Sequence, residues 1–203
     1  MKWTKKKNLL FLSILVILFV MLLVFVKLGA MTEFDNAVYG LFTKSEWLTS
    51  VMKFITYFGG SLTLIFLSVC LLVVLKDKKM ALSIVANLCF IATLNATLKL
   101  VVRRPRPMGI MLIDETGFSF PSGHSATAFA FYGLLIYLIY KNCRDKKLKI
   151  VSTLFFSVLI LAIGGSRIYL GVHFASDVLG GFLFASIYLV LFIWVCHRYK
   201  FLE

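Results

Sequence analysis

The sequence predicts an all-α integral membrane protein, and three observations support that fold class. The chain has 203 residues, of which 61% are hydrophobic and only 15% are charged. The apolar residues fall in runs of about 20, the length at which a helix crosses a bilayer with its backbone hydrogen bonds satisfied internally. Short basic segments separate several of these runs. No internal repeat or low-complexity linker divides the chain, so we expect one membrane domain over 1–203.

Hydropathy predicts a bundle of six transmembrane helices. The predicted spans are 9–27, 52–75, 80–100, 121–140, 150–168 and 174–196. The first span follows a lysine-rich N-terminus and so resembles a signal peptide. Its apolar stretch, Leu9 to Val26, is longer than a usual signal core, and Gly29-Ala30 is a poor cleavage site. We therefore expect this span to be retained as a signal anchor.

The basic residues predict how the spans are oriented. With the N-terminus in the cytoplasm, most of the 22 basic residues, beginning with Lys2, lie in inner segments, and both termini are cytoplasmic. This distribution predicts a multi-pass protein of the cell membrane. The outer exceptions concentrate in or beside three short motifs, so we expect an anionic ligand on the outer face.

Charge and cysteine positions argue against nucleic-acid binding and against a disulfide or metal framework. The net charge of +13 could suggest nucleic-acid binding. The inner charges lie in short loops beside spans, however, where topology and anionic lipid headgroups account for them. The cysteines predict neither a disulfide nor a metal framework, because none falls on the oxidising side of the membrane. Cys70, Cys89 and Cys196 lie in spans and Cys143 lies in an inner loop.

The outer segment 31–50 carries apolar residues at helical spacing, including Phe34, Val38 and Phe42. This pattern predicts a short amphipathic helix on the outer surface, with Thr32 and Asp35 as a capping pair. The segment could cover a path by which lipid reaches the protein, or it could only connect two spans. The sequence leaves its role open.

The other outer connections bring the three motifs to one membrane face. Prolines follow the third span, so we expect that helix to end near Val102. Pro121-Ser122-Gly123 then suits a new helix N-terminus, whose free N–H groups can bind phosphate oxygens. The last outer connection is very short. It places Arg167 at the end of the fifth span and His173 at the start of the sixth.

These motifs have the composition needed to bind and cleave a phosphate ester. They are Lys99-x6-Arg106-Pro107, Pro121-Ser122-Gly123-His124 and Ser166-Arg167-x5-His173-x3-Asp177. Phosphoryl transfer requires fixed cations and N–H donors around the equatorial oxygens. Lys99, Arg106 and Arg167 supply the cations. The Ser122 hydroxyl and the Gly123 backbone N–H can donate further hydrogen bonds.

The same motifs supply a nucleophile and an acid. His173 and Asp177 are four residues apart, which places them on one face of a helix. Asp177 can then accept a hydrogen bond from one ring nitrogen and leave the other unprotonated as a nucleophile. His124 is available to protonate the leaving alkoxide. A zinc site from these three residues is an alternative, but the neighbouring cations would oppose a divalent metal.

The motifs resemble the signature of the type 2 phosphatidic acid phosphatase family, whose site is shared with vanadium haloperoxidases. The resemblance extends over 99–177, and the six-span layout matches the family's membrane branch. Arg104, one step before Pro105, is also common in such proteins. The matching signature positions are Lys99, Arg106, Pro107, Pro121, Ser122, Gly123, His124, Ser166, Arg167, His173 and Asp177.

The resemblance implies metal-independent, cofactor-free hydrolysis of a lipid phosphate in the outer leaflet. His173 would carry a phosphohistidine, with His124 as the acid. Candidate substrates are phosphatidylglycerophosphate, phosphatidate and undecaprenyl diphosphate. A lipid phosphotransferase of the same family is an alternative, as is a non-enzymatic anion channel or transporter. The sequence leaves the substrate and the oligomeric state open.

Overall fold

The computed structural model describes residues 5–109 and 111–202, with only the backbone described at 5–8. Lys2, one of the residues used to predict orientation, lies outside this range. The described residues form helices and loops, without a strand. The helices are α1 (Lys5–Lys27), α2 (Thr32–Gly40), α3 (Glu46–Tyr57), α4 (Ser61–Val74), α5 (Lys78–Val102), α6 (Gly123–Asn142), α7 (Lys146–Tyr169) and α8 (Ala175–Arg198).

The long helices confirm the predicted membrane fold. Within the described residues, five helices are long and apolar enough to cross a bilayer: α1 from Leu9, α5, α6, α7 and α8. The predicted span over 52–75 is instead the pair α3 and α4, bent by 44° at residues 58–60. Counting this bent pair as one span gives six. Hydropathy detects the apolar run but not the bend, which comes from the Gly59-Gly60 sequence.

Two helix ends beside the motifs lie where the sequence predicts them. α5 ends at Val102, and Arg103 follows in the left-handed conformation with φ of 54°. The Lys27 ammonium donates to the Val102 carbonyl at 2.6 Å and so satisfies one of the free carbonyls at this end. At the start of α6, the Ser122 hydroxyl caps the helix by accepting from the Ser125 N–H at 3.5 Å.

α6 lies at the centre of the bundle, in contact with α5, α7 and α8, and α1 packs along α8. The central apolar core includes Ile91, Phe131, Leu134 and Ile163, all fully buried. A second cluster joins α1 to the motif region through Phe120. Much of α7 instead presents apolar side chains outward, as expected where lipid covers the surface.

The outer segment 31–50 differs from the predicted single surface helix. α2 ends at Gly40, and a separate helix begins at Glu46 after Ser45 caps it. The predicted capping pair does not form: the Thr32 hydroxyl donates to the Gly29 carbonyl at 2.8 Å. Asp35 is buried, with 2% of its surface exposed. Apolar spacing predicts helix in this segment. It does not reveal that the Asp35 carboxylate turns inward to partners that are remote in sequence.

Gly181 on α8 permits the close packing of α8 against the start of α6. A Cβ at this position would lie 2.8 Å from the Ser122 carbonyl oxygen and 3.1 Å from the Ser125 Cβ. Backbone atoms cannot move aside as a flexible side chain can. The N-terminus of α6 is therefore held against α8 by a contact that only glycine allows.

We expect Gly181→Ala to lower the thermal unfolding midpoint in detergent, because overpacking of this kind costs about 1–3 kcal/mol. The matched control is Gly165→Ala on α7, where an added Cβ meets nothing within 4 Å. That variant should melt at or slightly above the wild-type temperature. Equal midpoints for the two variants would contradict the close-packing interpretation.

Candidate active site

The three motifs meet at one end of the bundle. Lys99 lies in the last turn of α5 and Arg167 in the last turn of α7. His124 begins α6, and Asp177 lies in the first turn of α8. His173 lies in the short loop between α7 and α8. The predicted site residues are therefore brought together by helix ends and the loops between them.

His173 and Asp177 meet, although not by the predicted helical spacing. His173 precedes α8, whose N-cap is Phe174. The pair forms because the Asp177 carboxylate turns back over the helix start, where its Oδ2 accepts from the Phe174 N–H at 2.8 Å. The same Oδ2 lies 3.5 Å from the His173 Nδ1. Both side chains are almost completely buried.

The other ring nitrogen of His173 faces a cation. Arg106 Nη1 lies 3.4 Å from His173 Nε2 and also donates to the Val172 carbonyl at 2.8 Å. A guanidinium can only donate, so Nε2 must be the accepting, unprotonated nitrogen. The ring proton then lies on Nδ1, towards Asp177. Burial lowers the pKa of His173 to about 4, even though the Asp177 carboxylate works to raise it. The imidazole is therefore neutral at neutral pH.

Further donors fix the Asp177 carboxylate in place. Arg104 Nη1 donates to its Oδ1 at 2.6 Å, and the Ser119 hydroxyl donates to its Oδ2 at 2.8 Å. A buried carboxylate is costly unless it is hydrogen-bonded and paired, and these contacts provide both conditions. Sequence reasoning missed both partners as site residues. Arg104 stood out only as an extra arginine beside the first motif.

The three predicted cations are held by the loop after α5 and by α3. The Lys99 ammonium donates to the Phe118 carbonyl at 2.8 Å. Arg106 donates to the Thr116 carbonyl at 2.8 Å through Nη2. Arg167 is buried, and its Nη1 donates to the Thr56 hydroxyl at 2.9 Å. Fixed donors of this kind stabilise developing negative charge without having to reorganise during the reaction.

Glu115 was not predicted as a site residue, yet its carboxylate pairs with two of the cations. One oxygen accepts from Arg167, and the other lies 3.4 Å from Arg106 Nη2. Burial works to raise the pKa of the Glu115 carboxyl, but the Arg167 guanidinium outweighs it and holds the pKa below its usual range. An ionised carboxylate thus lies between the two arginines. Nothing in the local sequence distinguishes Glu115 from an ordinary acidic loop residue.

His124 lies beside the bend between α3 and α4. A Cβ at Gly60 would lie 3.8 Å from His124 Nε2, and one at Gly59 would lie 3.4 Å from its backbone oxygen. The paired glycines therefore leave room for the N-terminus of α6 to approach. Arg167, Glu115, His173 and Lys99 all lie within electrostatic range of the imidazole. His124 thus shares the site with the residues that sequence analysis grouped with it.

Ser122 and Gly123 lie at the start of α6, where Ser122 is the N-cap and Gly123 is the first residue of the helix. The Ser122 hydroxyl oxygen accepts from the Ser125 hydroxyl at 2.9 Å, and the residue is fully buried. A Cβ at Gly123 would lie 4.0 Å from Lys99 Cε, so the backbone there passes close to the lysine. A helix start beside a cation suits an anion. Direct contact of either residue with phosphate stays a prediction.

The arrangement can bind a phosphate group and attack it. Lys99, Arg106 and Arg167 lie near a buried, neutral imidazole whose accepting nitrogen faces Arg106, and a second imidazole lies within electrostatic range. In the described part of the chain, no group of three or more His, Cys, Asp or Glu side chains is placed to hold a metal ion. The fold and the site therefore define the class of integral membrane phosphatases.

The comparisons with known proteins agree with this class. The chain belongs to the PAP2 superfamily, whose family model matches residues 79–202. It is 34% identical over 187 residues to phosphatidylglycerophosphatase B of Bacillus subtilis (strain 168), a match that covers 88% of this chain and 89% of the relative. The family resemblance seen in the three motifs is thus confirmed, and the chain is a membrane lipid phosphatase.

Solved structures support the same conclusion. The crystal structure of a transmembrane PAP2-type phosphatidylglycerolphosphate phosphatase from Bacillus subtilis matches with a TM-score of 0.83 and 31% identity, over 95% of this chain and 97% of that one. The crystal structure of Aquifex aeolicus LpxE matches with a TM-score of 0.63 and 23% identity, over 80% of this chain and 93% of that one. The second likeness shows a shared fold.

We expect Glu115→Gln to tighten the binding of inorganic phosphate, measured as its inhibition constant in a phosphatase assay. Phosphate would no longer have to displace an ionised carboxylate from Arg106 and Arg167. The inhibition constant should fall about fivefold, since roughly 1 kcal/mol of ion pairing is removed. The matched control is Asp114→Asn, an exposed acid in the same loop. An unchanged inhibition constant for Glu115→Gln would show that Glu115 does not compete with phosphate.

Proposed function

We propose that this protein hydrolyses a lipid phosphate at the outer leaflet of the cell membrane through a phosphohistidine intermediate on His173. The observation that carries the proposal is the state of the His173 ring. Its Nε2 faces the Arg106 guanidinium, which can only donate, while its Nδ1 lies 3.5 Å from Asp177 Oδ2. A neutral imidazole oriented in this way is a nucleophile rather than a structural histidine.

In the proposed first step, the substrate phosphate displaces Glu115 and lies among Lys99, Arg106 and Arg167. The lone pair on His173 Nε2 attacks phosphorus, and the bond between phosphorus and the lipid oxygen breaks. His124 donates its proton to the departing alkoxide. Asp177 stabilises the positive charge that develops on the His173 ring. The products are the lipid alcohol and a phosphohistidine.

In the second step, water hydrolyses the phosphohistidine. His124, now neutral, removes a proton from the water, whose oxygen attacks phosphorus. The bond between phosphorus and Nε2 breaks, which restores the neutral His173 and the protonated His124. Inorganic phosphate then leaves, and Glu115 can pair again with the arginines. The proposed cycle uses only the side chains named above and water.

We propose phosphatidylglycerophosphate as the first substrate to examine. This choice is supported by the Bacillus subtilis relative, which is named phosphatidylglycerophosphatase B and matches most of this chain. Phosphatidate and undecaprenyl diphosphate are the other candidates, because they present the same terminal phosphate. If a second lipid replaced water in the second step, the protein would be a phosphotransferase. An anion channel is a weaker alternative, because conduction needs no nucleophile.

The proposed placement of the site on the outer face is supported by the basic residues. Lysines and arginines are concentrated in the connections at the opposite end of the bundle, around 76–79 and 141–149. The positive-inside rule places those connections in the cytoplasm. We also propose that residues 1–203 form a single membrane domain, since α1 packs along α8 rather than standing apart.

We expect the purified protein to release phosphate from phosphatidylglycerophosphate in detergent with chelator present, and we expect His173→Ala to abolish this activity. A panel with phosphatidate and undecaprenyl diphosphate identifies the preferred lipid. The control is His197→Ala. Because His197 lies at the other end of α8, this variant should keep the activity. Retention of activity by His173→Ala would overturn the proposed nucleophile. Loss with chelator that zinc or magnesium restores would overturn metal independence.

We expect a bell-shaped pH dependence of kcat/KM with an unusually acidic lower limb. As the pH falls through the His173 pKa of about 4, Nε2 becomes protonated and can no longer attack. On the basic side, activity falls when the enzyme–substrate complex loses the proton that His124 donates, because only the negative charge of bound phosphate offsets the effect of Arg167 and Lys99 on a charged His124. The substrate phosphate also titrates near pH 6, so its own ionisation is measured separately and accounted for. Once the substrate ionisation is accounted for, the acidic limb of the profile should still lie far below pH 6.5, the ordinary value for histidine. An acidic limb near pH 6.5 would contradict the proposed state of His173.

A further inference from the structure

Asp35 on α2 is a buried carboxylate bonded to residues at the start of α8 and to the loop after α5. Its Oδ1 accepts from the Ser176 N–H at 2.8 Å, and its Oδ2 accepts from the Ser176 hydroxyl at 2.7 Å. Arg104 Nη2 donates to the same Oδ2 at 2.8 Å. These partners are remote in sequence, so the contacts exist only in the folded protein. Asp35 also lies outside residues 79–202, which the family model matches.

Arg104 links Asp35 to Asp177, the carboxylate beside His173. Its Nη1 donates to Asp177 Oδ1 at 2.6 Å and to the Ser176 hydroxyl at 2.7 Å. The guanidinium lies over the Phe174 ring, 4.1 Å from its centroid, which fixes its plane. One planar fork therefore holds two carboxylates, and Ser176 closes the connection between them. The position of Asp35 on α2 therefore affects the position of the Asp177 carboxylate, because the same guanidinium binds both.

The charges in this cluster explain why a second carboxylate is needed. Arg104 alone would form an isolated ion pair with Asp177, and its positive charge would offset the field that Asp177 exerts on the His173 ring. Two carboxylates share the one cation, so the cluster of Asp35, Arg104 and Asp177 keeps a net negative charge. Buried charge is tolerated where hydrogen bonds satisfy it, as they do here. The cluster thus holds Asp177 firmly without cancelling its charge.

We propose that Asp35 is a positioning residue for the hydrolysis, acting through Arg104 and Ser176 to set the position and charge of Asp177 and so of His173. The proposal rests on the function proposed above. It gives α2 a role that the sequence left open: this helix carries part of the active-site support in addition to connecting two spans. Asp35 does not touch the reacting atoms.

The test compares Asp35→Asn with Glu33→Gln, an exposed acid on the same helix. Both changes remove one negative charge from α2. We expect Asp35→Asn to lower kcat by about 10- to 100-fold, the range seen when outer-shell hydrogen bonds are removed. KM should change less than about twofold, because Lys99, Arg106 and Arg167 are untouched. Glu33→Gln should match the wild type in both constants.

A double-mutant cycle separates positioning from general stability. If Asp35 acts through Asp177, then Asp35→Asn should cause no further loss of kcat in an Asp177→Asn background. An equal fractional loss in both backgrounds would overturn the proposal, as would a wild-type kcat per folded molecule in Asp35→Asn. The rates are measured with radiolabelled substrate, because Asp177→Asn will be slow. Folded protein is quantified from gel filtration and thermal unfolding.

Ser176→Ala provides a second variant that removes only one buried hydroxyl, in case Asp35→Asn does not fold. It should also lower kcat with little change in KM, and a wild-type kcat would overturn the proposal. His173→Ala in the same assay distinguishes this proposal from the one it rests on. Activity in His173→Ala would overturn the proposed function itself. Loss in His173→Ala with full activity in Asp35→Asn would overturn only the positioning role.

Discussion

The rest of the site depends on the way the buried Asp177 carboxylate is satisfied. It accepts hydrogen bonds from Arg104, Ser119 and the Phe174 N–H, and it lies beside His173. These donors come from the loop after α5 and from the start of α8. Its backbone carbonyl also accepts from the Ser122 N–H, at the start of α6. A carboxylate out of water requires this many partners, and meeting that requirement brings the three motifs together.

The second constraint is the concentration of positive charge at the end of an apolar bundle. Lys99, Arg106 and Arg167 would repel one another if nothing offset them. Glu115 and the carbonyls of the loop after α5 offset these charges. The site therefore holds its cations in ion pairs and hydrogen bonds rather than as isolated charges. In the proposed mechanism, phosphate carries more charge than a carboxylate, which favours its exchange with Glu115.

Much of the membrane architecture and the composition of the site could be predicted from the sequence, because both have local signals. Apolar runs predict the spans, the prolines predict the end of α5, and Ser122 predicts the start of α6. Three motifs with fixed spacing predict the residues that meet. Asp35, Thr56 and Glu115 could not be found in this way. Each acts through partners more than 50 residues away, or in a loop whose path has no sequence pattern.

The sequence by itself determined the fold class, the family and the residue types of the site, because hydropathy and motif spacing are properties of short segments. Only the tertiary structure decided the bend between α3 and α4, the presence of Glu115 between two arginines, and the burial of Asp35. The physical reason is that a charged side chain in an apolar protein must find its partner wherever the packed helices place one. Hydrogen-bond partners across 141 residues of chain are set by packing, and no local pattern encodes them.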